Sequence, residues 1–201
     1  NYNATATNIT YVTGKFNKAA SFVLSNSSEI DFSNSLHGSS FSMSFWMKAT
    51  DMGTGTTATG YSIYSAYVDV NNYFRPVLYG DGSLLLLSKY SGTFKSNSTS
   101  SGIITENTWH HIVCVFNGTQ AVNVDRAKIY VDSVDETQSI IGTLPSTTYD
   151  FTLEPTNPTW YLGQVGLQLG NNELEGKLDE YAIYSDVALT DLEVNEIYNG
   201  G

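Results

Sequence analysis

The last quarter of this 201-residue chain constrains its fold most strongly. Leu174 to Tyr184 reads as one strand, yet its apolar parity changes partway: Leu174 and Leu178 share one parity, Tyr181 and Ile183 the other. Successive strand residues face opposite ways, so such a switch predicts an inserted residue, a bulge, near Asp179-Glu180. Ala188-Leu189-Thr190 follows. Thr190 and Glu193 have the spacing of a capping box, which opens a short helix from Asp191 to Tyr198 with Leu192, Val194, Ile197 and Tyr198 as its apolar side. No other segment reads as helical. About ten to twelve short strands precede it, punctuated by Gly, Asn and Ser turns, and that pattern predicts an all-β antiparallel two-sheet sandwich with one short C-terminal helix.

The strands can be placed one by one. Ala19–Leu24 and Glu29–Phe32 flank the turn-forming Ser25-Asn26-Ser27-Ser28 and read as a hairpin. Phe41 to Lys48 alternates Phe41, Met43, Phe45 and Met47 against Ser42, Ser44, Trp46 and Lys48, so one face is core and Trp46 implies partial cover on the other. Residues 50–60 read as a loop. Tyr61–Val68 and Tyr73–Tyr79 are strands, and Gly80-Asp81-Gly82 turns the chain back into Ser83–Lys89. Pro76 inside its run predicts an edge strand or a bulge. Trp109–Phe116, Ala127–Asp132 and Trp160–Gln164 complete the set, with residues 142–158 and 166–172 irregular. Length and pattern predict one domain over residues 1–201, with 1–13 an N-terminal arm or edge strand.

Charge narrows the function. The net charge is −11, and such a surface repels phosphate backbones, which argues against nucleic-acid binding. No run of about 18 apolar residues offers a membrane span, so no membrane insertion is expected. Charged residues make up only 14% of the chain; Ser, Thr, Asn and Gly supply the remaining polarity, a composition common in extracellular and virion-surface proteins. Asn1 to Thr5 lacks the basic start and apolar stretch of a signal peptide, and the missing initiator Met suggests a processed product or a piece of a longer, multidomain parent. The single cysteine, Cys114, lies in an apolar strand and reads as a small core residue.

Six landmarks occur in order: Gly14-Lys15 with Ala20-Ser21-Phe22; Phe41 to Lys48; Asn107-Thr108-Trp109-His110-His111-Ile112-Val113; Lys128-Ile129-Tyr130-Val131-Asp132; Trp160-Tyr161-Leu162-Gly163; and Gly176 to Tyr184 with the terminal helix. Together, over roughly residues 14 to 199, they resemble the laminin-G-like, concanavalin A-like lectin-glucanase superfamily of jelly-roll domains, which includes pentraxin-type members. Two departures stand out. Ser133 occupies the turn position where the family usually has Gly, and Ser27-Ser28-Glu29 stands where it often has Gly-Asp-Tyr. The resemblance implies a jelly-roll sandwich and a lectin-like or adhesive role.

The chemistry-bearing residues point to binding rather than catalysis. Hydrolases of this fold need two carboxylates on one strand face, in a Glu-x-Asp-x-x-Glu arrangement. Glu173, Glu175, Asp179 and Glu180 do not reproduce that spacing, so no enzymatic activity is expected. A carboxylate at the predicted bulge, Asp179, either caps freed backbone N–H groups or coordinates Ca2+, for which Asp31 and Asn26 are candidate co-ligands. Tyrosines give the strongest ligand signal. Tyr64, Tyr67, Tyr73, Tyr79 and Tyr90 cluster in one third of the chain, and a ring with a hydroxyl tip suits both the flat C–H faces and the hydroxyl edges of sugars. Some of them belong to an ordinary sandwich core. The expectation is a non-catalytic extracellular or virion-surface module that binds a glycan or a surface glycoprotein, as a homo-oligomer or within a larger protein. The competing expectation is a structural domain of a phage or viral fibre, a capsid decoration, or a spacer in a bacterial surface protein.

Overall fold

A computed structural model describes residues 4–33, 40–53, 60–69, 71–90, 92–122, 125–141, 159–164 and 173–200. The irregular stretches expected at 142–158 and 166–172 lie outside these residues. In chain order the strands are β1 (Ala4–Thr7), β2 (Thr10–Thr13), β3 (Lys18–Phe22), β4 (Glu29–Ser33), β5 (Ser40–Ala49), β6 (Tyr61–Ser62), β7 (Tyr64–Asp69) and β8 (Asn72–Leu78). Then come β9 (Leu84–Tyr90), β10 (Thr93–Ser98), β11 (His110–Asn117), β12 (Ala127–Val131), β13 (Val134–Asp135), β14 (Ser139–Ile141), β15 (Thr159–Leu162) and β16 (Gly176–Ser185), followed by the helix α1 (Asp191–Gly200).

Two antiparallel sheets stack face to face, the expected jelly-roll sandwich. The first runs β1-β4-β15-β7-β8-β9-β10-β14, with β6 also paired to β8; the second runs β13-β12-β11-β5-β16-β3-β2. The N-terminal segment straddles the sandwich, since β1 is an edge of the first sheet and β2 an edge of the second.

Alternation fills the core. Phe41, Met43, Phe45 and Met47 of β5, with Ile112, Cys114 and Phe116 of β11, meet Tyr64, Phe74, Leu78, Leu86 and Trp160 of the first sheet, all of them buried. Burying each large apolar side chain contributes about 1.5–3 kcal/mol. The opposite face of the second sheet is also closed. There Val113, Val115 and Tyr130 pack with Leu189 and Val194, so α1 lies across the back of β11 and β12. Trp46 is only 5% exposed. Its indole stacks on Tyr198 of α1 at 5.6 Å, meets Phe16 edge-on at 6.0 Å, and has the Lys15 ammonium 4.2 Å from its ring centroid.

The helix starts as its sequence requires. The Thr190 N–H donates to Glu193 Oε2 at 2.8 Å and the Glu193 N–H to Thr190 Oγ1 at 3.3 Å, a reciprocal cap. Leu192, expected on the apolar side, is 66% exposed; Val194 and Ile197 supply the contact instead.

The bulge forms where the parity switch places it. Register along β16 and β5 shifts between Asp179 and Ala182, and Glu180 takes φ +49°. Leu178 before the shift and Tyr181 and Ile183 after it therefore all pack on the core.

Two expectations need correction. β3 and β4 do not pair as a hairpin: β3 lies between β2 and β16, and β4 between β1 and β15. The intervening turn is tight, with the Asn26 N–H on Val23 O and Ser27 at φ +51°, but it carries the chain from one sheet to the other. Of the edge strand or bulge expected at Pro76, the edge strand is ruled out, since β7 and β9 flank β8, while the ladder is indeed irregular there. Pro76 is accommodated because it sits opposite the break between β6 and β7. The Ile63 N–H donates to Pro76 O, and the proline's missing N–H asks nothing of that gap.

Candidate functional site

The outer face of the first sheet is covered in part, with Ser65, Val77, Leu87 and Ser96 buried on it, and it keeps exposure around Tyr67, Tyr73, Lys89 and Phe94. β8 runs through it by simple alternation. Phe74 and Leu78 enter the core, while Tyr73 and Arg75 point the other way. Tyr79 follows at the mouth of the Gly80-Asp81-Gly82 turn, which closes with the Gly82 N–H on Tyr79 O and Gly82 at φ +78°.

Strand register lines up a row across this face. Tyr67 of β7 pairs with Tyr73 of β8, Tyr73 with Lys89 of β9, and Lys89 with Phe94 of β10. Four adjacent strands span about 14 Å. Along the row the Tyr73 and Phe94 rings meet edge to face at 6.2 Å, and the Lys89 ammonium stands 5.5 Å from the Phe94 centroid. The Arg75 guanidinium lies 5.7 Å from the Tyr73 centroid. Phe94 is 52% exposed, an outlay of apolar surface that folding does not require.

Electrostatics keep the row in one protonation state. Burial pushes up the phenols of Tyr67, Tyr73 and Tyr79; Arg75 pulls the last two the other way. All three remain neutral hydroxyls at physiological pH, able to donate and to accept. Burial lowers Arg75, and the neighbouring Tyr73 and Tyr79 oppose the shift. Its Nη1 donates to Ser62 Oγ at 3.3 Å, while its Nε is buried without an acceptor.

The structure divides the sequence-selected tyrosines. Tyr67 and Tyr73 stand together in the row, with Tyr79 farther along the same face of β8. Tyr90 holds the last position of β9, opposite Thr93. Tyr64 is a core residue: it is fully buried, stacks on Trp160 at 6.0 Å and packs against Phe74 and Tyr181. Phe94, Arg75 and Lys89 were not singled out from sequence. The hairpin register from Tyr90 to Thr93 would have placed Phe94 opposite Lys89.

The structure places the three candidate metal ligands on three different elements. Asp179 belongs to the second sheet, and both its oxygens are engaged: Oδ2 accepts from the Phe16 N–H at 2.9 Å and Oδ1 from the Glu180 N–H at 3.0 Å. That is the capping role, with the bulge as its cause. Asp31 lies in β4 of the first sheet, between Thr5 and Tyr161, and Asn26 is exposed in the crossing turn. Among the described residues no three His, Cys, Asp or Glu side chains are grouped to hold a metal. Of the other C-terminal carboxylates, Glu173 faces Glu29 of β4, whose carboxyl is pushed up by burial, then by Asp31 and Glu173. Glu175 accepts from the Leu24 N–H at 2.6 Å, and Glu180 sits exposed on the bulge.

Among the described residues two further concavities stand out. An apolar cleft of about 520 Å³ opens between the sheets beside Ile30, Phe32, Tyr181 and Ile183. A groove of about 500 Å³ runs beside the start of α1, where the Tyr130 hydroxyl donates to Asp191 at 2.6 Å and Lys128 approaches Asp135 at 3.1 Å. In the groove the polar groups satisfy one another and dock the helix.

Comparison with known proteins follows the fold. A family model described as the Concanavalin A-like lectin/glucanases superfamily matches residues 24–195. No curated protein sequence matches significantly. Among solved structures, domain 4 of AbnA, a GH43 extracellular arabinanase from Geobacillus stearothermophilus solved in complex with arabinotriose, is 21% identical, covering 98% of this chain and 87% of that one, with a TM-score of 0.67. The binding domain of Paraclostridial Mosquitocidal Protein 1 is 19% identical over 100% of this chain and 48% of that one, at a TM-score of 0.73, so this chain spans about half its length. A heptameric SAP-like pentraxin from Limulus polyphemus is 17% identical over 85% and 75%, at a TM-score of 0.58. At such identities the likeness is one of fold.

Proposed function

Since the chain belongs to the Concanavalin A-like lectin/glucanases superfamily, we propose that it is a non-catalytic carbohydrate-binding module acting outside the cell, which holds a glycan or surface glycoprotein against the outer face of its first sheet. The observation that carries this reading is the registered row Tyr67-Tyr73-Lys89-Phe94, with Arg75 beside it. A sugar ring offers C–H faces that stack on aromatic rings and hydroxyls that pair with phenols and cations. The row supplies both kinds of partner on a rigid sheet, so little ordering entropy is spent on binding. Sandwich folds host many activities, so the surface chemistry carries the argument and the relatives lend it support. One of those relatives was solved with a bound oligosaccharide.

A glycan array, read with and without a calcium chelator, tests the proposal. The expected result is binding to a defined glycan set that survives the chelator and falls for Tyr73→Ala. An empty array in both conditions, or binding untouched by Tyr73→Ala, would overturn it.

A further inference from the structure

Arg75 is out of place in a protein of this charge. The chain carries 20 acidic and nine basic residues, so a cation has acidic groups to choose from. Yet among the described residues no carboxylate oxygen lies within 4.0 Å of its guanidinium. The ionisable groups that act on it are phenols, Tyr73 on β8 and Tyr79 just past its end. One hydroxyl, Ser62 Oγ, accepts from Nη1 at 3.3 Å, and the buried Nε–H has no acceptor at all.

A half-buried cation with an orphaned donor is costly in a folded protein. The Tyr73 ring face returns part of that cost through its π electrons, but it cannot accept a directed hydrogen bond in the way an oxygen can. What the guanidinium lacks is a planar anion. A carboxylate matches its fork of N–H groups and forms charge-assisted bonds about twice as strong as neutral ones. The position matters as much as the chemistry, because Arg75 sits beside the aromatic row whose rings would stack the sugar.

We infer that the glycan held on this face is an acidic one, whose carboxylate is received by Arg75 while its ring lies on Tyr73 and Phe94. The inference rests on the carbohydrate-binding reading and deepens it. The protein's overall net charge of −11 repels such a ligand at a distance, but in physiological salt that repulsion is screened beyond about 8 Å. Selection for the acid therefore comes from contact at Arg75, with Lys89 a second cation in the row. A uronate and a sialic acid share this chemistry.

Two matched ligand pairs test it by calorimetric titration: trigalacturonate against its methyl ester, and 3′-sialyllactose against lactose. Each pair differs in negative charge on a similar sugar frame. In at least one pair the wild-type protein is expected to bind the acid about tenfold or more tightly than the neutral partner. Arg75→Gln should abolish the preference, and Arg75→Lys, which keeps the charge but loses the planar fork, should retain only part of it. The pair showing the preference tells uronate from sialic acid. Removing an unpaired, half-buried charge should leave the melting temperature of Arg75→Gln unchanged or raised, which separates a binding effect from unfolding.

Equal binding of acid and neutral partner in both pairs would overturn the inference while leaving carbohydrate binding intact. An acid preference that persists in Arg75→Gln would overturn it too. Failure of all four ligands, together with an empty array, would sink the carbohydrate reading along with it.

Discussion

Tyr73 and Phe94 belong to β8 and β10, yet their rings meet edge to face, centroids 6.2 Å apart, across the intervening strand β9. The contact bridges over Lys89, which pairs with both residues, and it leaves the Phe94 ring half in solvent. An exposed aromatic held in this way adds little to folding. Phe94→Ala should therefore change unfolding free energy by no more than about 0.5 kcal/mol, while weakening glycan binding several-fold, roughly the 0.5–1.5 kcal/mol of an aromatic contact. Urea denaturation and titration on the same preparation check the two halves. A large loss of stability would mean that the ring is structural.

Asp179 is expected to matter for stability and not for binding. Its carboxylate, 6% exposed, receives the backbone N–H groups of Phe16 and Glu180, and so ties the β2–β3 connection to the bulge in β16. Asp179→Ala leaves both donors without an acceptor and should cost about 2–4 kcal/mol. Gly14 packs against the same carboxylate, and a methyl group there would collide with it, so Gly14→Ala should destabilise as well. Urea midpoints measure both. Adding calcium to the wild-type protein should leave its midpoint unmoved; a rise that Asp179→Ala removes would make Asp179 a metal ligand.

His111 sets an acid limit. It is 1% exposed and packs in a three-ring cluster with Trp46 at 5.1 Å and Tyr198 at 5.8 Å, with Ser44 Oγ 2.8 Å from Nε2 and a buried Nδ1 that has no partner. Burial lowers its pKa from 6.5 to about 4, against a smaller opposing pull from Asp132. The unfolded chain thus takes up a proton near pH 6.5 that the folded protein refuses until about pH 4. Stability is fully present above pH 6.5 and is lost as pH falls through that window. Melting temperatures between pH 7.5 and 4.5 should show the decline. His111→Gln should flatten it, while lowering stability at neutral pH by about 1–3 kcal/mol through lost stacking.

These cases show what was legible in the sequence. Period-two alternation sufficed for β5 and for the β8–β9 hairpin, because both effects are local. The bulge was legible too, since one inserted residue leaves a parity switch, and so was the helix cap. Sheet membership was not. The Ser25–Ser28 turn has the same chemistry whether it closes a hairpin or crosses between sheets, and only the packing of Phe22 and Ile30 decides. The tyrosines show the same limit. Tyr64 and Tyr67 differ in parity along β7, but parity alone cannot say which side is the core. Phe94 escaped notice because its neighbours Thr93, Lys95 and Ser96 form no apolar pattern, and the row appears only once three ladders are in register.

Ser133 pays for the glycine it replaces. It and Asp132 both have positive φ, +69° and +50°, in the two-residue turn that pairs Val131 with Val134. A turn of this hand prefers Asp-Gly. Asp132 is already fixed by His110 Nδ1 at 2.8 Å and by the His111 N–H at 2.9 Å, so the change at Ser133 acts on the backbone alone. Ser133→Gly should stabilise by up to about 1 kcal/mol, the left-handed strain relieved less the added freedom of the unfolded chain. Thermal melts check the sign, and Ser133→Val should move it the other way.

Cys114 offers a readout of the whole sandwich. Its thiol is 1% exposed between the two sheets, and burial pushes its pKa up to about 12. Because the thiolate is the reactive form, the native protein at pH 8 should not react with a disulfide reagent over minutes, whereas one equivalent should titrate at once in denaturant. Slow native-state labelling then reports opening of the core. It should accelerate in Asp179→Ala, which loosens the bulge, and stay at the wild-type rate in Phe94→Ala and Arg75→Gln, whose side chains face away from the core. Fast labelling of either of the latter would mean that the binding row also holds the sheets together.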